Sequence, residues 1–146
     1  MARLLLHDQV RSWLLDKPSW IDFLDSDHPS QALRVTTGIC HRFVQQCQER
    51  NKECFVLLLP TPSSYDYYTA TGKLVMEPVM EEFSRQGIPH LNLTSHFARQ
   101  LGGRPFAEIL TNRPQPGMGH FNPEGNSLVA QSVFEHLANL DQRIGH

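Results

Sequence analysis

Cys54-Phe55-Val56-Leu57-Leu58-Leu59 is an unbroken apolar run closed by Pro60. A strand with one wet face alternates apolar and polar residues, whereas a run without alternation reads as a strand covered on both faces, as in a parallel sheet. Ile88-Pro89-His90-Leu91-Asn92-Leu93 reads as a second short strand. The residues between the two are enough for the helical crossover that parallel neighbours need. The fold class expected is therefore α/β, with a short parallel sheet flanked by helices.

The helices follow from periodicity. Residues 2 to 16 carry Leu4, Leu5, Val10, Trp13 and Leu14 at three- and four-residue spacing, which suits an amphipathic helix stopped by Lys17-Pro18. Trp20, Ile21, Phe23 and Leu24 add a further turn, and Asp25-Ser26-Asp27-His28-Pro29-Ser30 is a polar loop in which Ser30 can cap the next helix. From Gln31 to about Asn51 an apolar row of Leu33, Val35, Ile39, Cys40, Phe43, Val44 and Cys47 predicts the longest helix. Residues 73 to 86 predict another, with Pro78 at its first turn or at a kink and Gly87 at its end, and Thr94 or Ser95 starts one running to Leu101. Phe106 to Leu110 add a turn, Asn112 to Pro116 an extended loop, and a final helix runs to about Leu140.

In open α/β sheets ligands bind beyond the carboxyl ends of the strands. Thr61 to Tyr68 leaves that end of the first strand and reads as a loop, so Tyr65, Tyr67 and Tyr68 are the candidate substrate-facing residues, with Asp66 among them.

With 146 residues, 40% of them hydrophobic, the chain is of single-domain size, residues 1–28 forming an N-terminal helical segment. A formal net charge of -2 with scattered basic residues gives no footprint for nucleic acid. The opening apolar residues are broken by His7, Asp8 and Arg11, so neither a signal peptide nor a membrane span is expected. Cys40, Cys47 and Cys54 lack the Cys-x-x-Cys pair of a zinc site and read as reduced thiols; His90, His96 and His120 are too widely spaced to suggest ligands. No metal or other cofactor is expected.

Gly117-Met118-Gly119-His120-Phe121-Asn122-Pro123-Glu124-Gly125-Asn126 is the stretch with chemistry in it. Glycines bracket a histidine, and the chain then turns into a helix that Asn122 can cap, with Pro123 at its first position and Glu124 complementing its positive end. A histidine held at a rigid helix start is placed as a general base must be.

The block Gly119-His120-Phe121-Asn122-Pro123-Glu124-Gly125-Asn126, followed by Leu128-Val129-Ala130, resembles the C-terminal histidine block of SGNH, or GDSL-type, hydrolases. The likeness extends over about residues 30 to 140. It implies a partial flavodoxin-like three-layer fold, serine-dependent esterase or acyl-transfer chemistry on a small-molecule or carbohydrate ester, for instance an O-acetyl group, and His120 as catalytic base. The family's Gly-Asp-Ser and Gly-x-Asn-Asp blocks are absent, and its usual acid, three residues before the histidine, is here Gly117, with Met118 two before. Asp66 is the nearest acid to nominate in its place.

Two strands also fall short of the five or six that such sheets usually have. Further strands are expected upstream in a longer protein, or from another chain as in a homo-oligomer, or within an N-terminal stretch that only looks helical. The alternative is a catalytically inactive SGNH-like binding or structural module.

Overall fold

Val56–Leu58 (β1) and His90–Asn92 (β2) pair in parallel, Leu57 opposite Leu91. The computed structural model describes residues 19–111 and 119–144. Around the strands lie, among the described residues, five α-helices: α1 (Ala32–Glu49), α2 (Pro62–Thr71), α3 (Glu77–Arg85), α4 (Thr94–Leu101) and α5 (Pro123–Ile144). Two 3-10 turns, Ser19–Leu24 and Phe106–Ile109, complete the order.

The strands divide the apolar side chains between two cores, because successive residues point to opposite faces. Val56 and Leu58 join Leu24, Val44, Val79, Phe83 and Ile88, so α1 and α3 cover one face. Leu57 and Leu91 join Tyr65, Leu93, Phe97, Leu101, Phe106 and Ile109, so α2, α4 and the second 3-10 turn cover the other, with Leu128 and Val129 of α5 packed against them. The architecture is thus helices, sheet, helices.

Local chemistry sets the junctions. The chain leaves α3 through Gly87 at φ 66°, where the Ile88 N–H donates to the Phe83 carbonyl at 2.8 Å and the Gly87 N–H to the Ser84 carbonyl at 3.2 Å. These paired bonds close the helix on a left-handed glycine and feed the chain straight into β2. After β2, Asn92 Oδ1 accepts the Thr94 N–H at 2.8 Å and starts α4.

Several expectations need correction. Thr61 to Tyr68 is not a loop: Thr61 caps α2, Pro62 stands in its first turn, and the Thr61 and Ser64 side chains exchange bonds with each other's N–H. Thr61 at the cap and Pro62 in the first turn were start signals in the sequence, but Ser64 replaces the usual Glu or Gln of a capping box and the loop-like composition hid them. Gly72, left-handed at φ 72°, ends α2, so Leu74 and Val75 fall in the turn before α3, which begins only at Glu77, with Pro78 in its first turn. The strands are only three residues each, and their residues are half-buried although helices cover both faces, as the unbroken apolar run implied. The longest helix is α5, of 22 residues, rather than α1, of 18. The row expected to be buried along α1 splits: Val44 is buried, while Val35, Ile39 and Phe43 are exposed. Gln31, left-handed, is the residue flanking α1, with Ser30 Oγ accepting the Ala32 N–H at 3.3 Å from one position earlier. The helix expected over residues 2 to 16 and the loop over residues 112 to 116 lie outside the described residues.

Thr61→Ala is expected to cost about 1 kcal/mol in urea denaturation, since it strips the cap from α2.

Candidate functional site

His120 is pinned through its backbone and free at its side chain. The Thr111 N–H donates to the His120 carbonyl at 2.8 Å, and the Asn122 N–H donates to the Ile109 carbonyl at 2.9 Å. These bonds make an antiparallel bridge between Leu110 and Phe121. Phe121 turns inward, its ring 5.5 Å from Phe97 and 6.1 Å from Phe106. Its neighbour His120 therefore faces outward, exposed and without a side-chain hydrogen bond among the described residues.

Asn122 then fixes the helix. Its Oδ1 accepts the Gly125 N–H at 3.0 Å, and its Nδ2 donates to the Glu108 carbonyl at 2.7 Å. One side chain thus caps α5 and ties the cap to the preceding turn. Arg104 adds an ion pair to Glu124 in the first turn of α5, and that carboxylate holds its guanidinium above the ordinary range.

Gly119 in the loop and Gly125 in the first turn of α5 are both there for contact. A Cβ on Gly125 would stand 2.6 Å from the Ile109 carbonyl oxygen and 2.8 Å from Phe121 Cδ1. One on Gly119 would meet Leu110 Cδ1 at 3.0 Å. Gly125→Ala is expected to cost about 2 kcal/mol, because one of the opposing atoms is backbone and cannot swing away. Thermal denaturation with and without the substitution checks it.

The tyrosines separate on α2. Tyr65 is 3% exposed and packs its ring 5.0 Å from Phe106, and its hydroxyl donates to the Arg104 carbonyl at 3.2 Å. It is a core residue rather than one that faces a substrate. Tyr67 and Tyr68 are half-buried and Asp66 is exposed. Among the described residues no hydrogen bond joins Asp66 to His120.

Burial, then the charge of Asp66, raise the Tyr65 hydroxyl above its ordinary value, against a smaller opposing effect of Arg104. A folded-state value above the unfolded value of about 10 means that the contribution is complete below that pH and fades as pH climbs through the folded value. Tyr65→Phe is expected to cost about 1 kcal/mol at neutral pH and to flatten the loss of stability above pH ~10, read by urea titrations across pH.

Three other histidines are held by contacts. His28 Nδ1 lies 2.7 Å from Ser30 Oγ, but that hydroxyl already accepts the Ala32 N–H, and His28 Nδ1 also accepts the Ser30 N–H at 3.2 Å. This is a turn-and-cap arrangement. His96 Nε2 is buried without a hydrogen-bond partner, 4.0 Å from Glu135 Oε2 across the contact of α4 with α5. His90 packs on Phe83 at 5.5 Å with Nδ1 2.9 Å from the Ile88 carbonyl. Among the described residues no group of three or more His, Cys, Asp or Glu side chains could hold a metal ion. Nor is any helix among them long and apolar enough to cross a membrane.

Family models, curated proteins and solved structures, when compared with the chain, give no match.

Proposed function

We propose that this chain is the C-terminal part of an SGNH-type hydrolase domain, with a flavodoxin-like three-layer fold, acting on a small-molecule or carbohydrate ester. The observation that carries the reading is the histidine itself: an exposed imidazole on a backbone fixed from both sides, at the capped start of α5, within the residue block that resembles the family's. That arrangement lends the ring reach toward a group outside these residues without loss of aim.

In the reaction, His120 takes the proton from a serine hydroxyl as its oxygen attacks the ester carbonyl. It returns that proton to the departing alcohol, leaving an acyl-serine. A water or a second alcohol, deprotonated by the same ring, then releases the acyl group. Neither the serine nor the oxyanion donors belong to the motifs in this sequence, so they come from further polypeptide. The imidazolium formed in passing needs an acid partner, and Asp66 remains its nominee.

A second reading, an inactive module that keeps the fold for binding, rests on Gly117 and Met118, which stand where an orienting acid is expected. Labelling with a fluorophosphonate separates the two: a serine adduct that depends on His120 belongs to the hydrolase, and no adduct in the complete protein belongs to the module.

A further inference from the structure

The end of α1 brings the chain back over its own last turn. Asn51 is left-handed at φ 53°, its N–H donates to the Gln48 carbonyl at 2.9 Å, and the Lys52 N–H reaches the Cys47 carbonyl at 2.8 Å. These nested bonds close a helix on a left-handed residue, here asparagine in place of the commoner glycine. The Arg50 N–H shares the Cys47 carbonyl at 3.0 Å, so three successive backbone donors shape the reversal. Cys54 follows it by two residues, on the way into β1 at Val56.

The reversal pairs two thiols. On α1 the buried residue nearest this end is Val44, and Cys40 and Cys47 stand one turn to either side of it on the same face. Cys54 packs against the core that contains Val44. The returning chain thus lays Cys54 beside the last turn of α1, where its side chain and that of Cys47 meet in a hydrogen bond. Both cysteines are free thiols, and both are half-buried, within reach of a small reagent. Cys40 shares the face but not the pair, because seven residues of helix set it about 10 Å from Cys47. A disulfide spans Cα atoms up to about 7 Å apart.

We propose that Cys47 and Cys54 form a disulfide site, closed by exchange with a low-molecular-weight disulfide, that locks the end of α1 to the entrance of β1. One cysteine, as thiolate, attacks a sulfur of the small disulfide and expels one small thiolate, leaving a mixed disulfide on the protein. The other thiolate then attacks the protein sulfur of that bond, expels the second small thiolate and forms the Cys47–Cys54 bond. Two electrons pass from the protein to the small disulfide, and the two protons leave with its two thiols. Burial first, and the neighbouring Cys47 second, hold the Cys54 thiol above its ordinary value, so the pair rests as thiols and exchange quickens as pH rises. The bond encloses eight residues whose turn is already made, and restricting that loop in the unfolded chain is expected to lower the unfolded population about tenfold.

The test incubates the folded chain with mixtures of oxidised and reduced glutathione, quenches with acid, blocks remaining thiols by alkylation and reads intact mass. Tryptic mapping locates the bond, since cleavage after Arg50 and Lys52 parts the two cysteines. The expected product is a monomer lighter by two hydrogens, with Cys40 as its one blocked thiol and peptide 43–50 joined to peptide 53–73. Cys47→Ser and Cys54→Ser are each expected to abolish it, and Cys40→Ala to keep it. In concentrated urea the same pairing is expected to be about tenfold less favourable at equal glutathione ratio, the counterpart of the stabilisation. Pairing as favourable in urea as in the folded chain overturns the proposal. So does a bond that includes Cys40, a disulfide-linked dimer, a glutathione adduct that persists on Cys47 or Cys54, or a pair that stays reduced across the whole range of mixtures.

Discussion

Phe97→Ala is expected to lower the free energy of unfolding by about 4 kcal/mol. The ring is 0% exposed on α4 and lies 6.1 Å from Phe106 and 5.5 Å from Phe121. Truncation leaves a void bounded by Leu93, Leu101 and Ile109, themselves almost wholly buried and held by secondary structure, so the site collapses poorly. Phe121 also loses the surface that turns it inward and holds its neighbour outward. The loss of stability is therefore expected to come with loss of the Leu110–Phe121 bridge, visible as faster exchange of the Thr111 and Asn122 amides. Urea denaturation showing a loss below about 1 kcal/mol would put Phe97 outside the packing described.

His120→Ala is expected to act in the opposite sense, with turnover of the complete protein falling by about 10³-fold and stability unchanged within about 0.5 kcal/mol. The ring is exposed and touches no partner among the described residues, while the bonds that shape its loop run through backbone groups and Asn122. A change in kcat with KM held is the pattern for a group that acts in the transition state. Equal loss of stability and of activity would mark His120 as part of the scaffold.

Much of this arrangement was written locally. Asn122, Pro123 and Glu124 specify the start of α5 within three residues, and Gly87 does the same for the end of α3. The first strand was legible because six apolar residues in a row have few other uses, and the second as a short apolar-rich segment between Gly87 and Thr94. Thr61-Pro62-Ser63-Ser64 also carried its signal, which the loop-like composition hid. Which face of α1 is wet was not legible: Val35, Ile39, Phe43 and Val44 are alike in hydropathy, and only the position of α3 decides that Val44 is the one inside. Tyr65 and Tyr68 differ for the same reason, since the Phe106 turn and the Arg104 carbonyl that claim Tyr65 lie some forty residues on. The contact of His96 with Glu135 joins two helices and leaves no trace in spacing.

The measurement that bears most directly on the central claim is fluorophosphonate labelling, read by intact mass and peptide mapping. It is made on the native full-length protein, in parallel with His120→Ala. One adduct is expected, on a serine outside these 146 residues, that disappears in His120→Ala while the fold survives. An adduct on a serine of this chain, Ser30 beside His28 being the first to inspect, or one that forms as fast without His120, would contradict it.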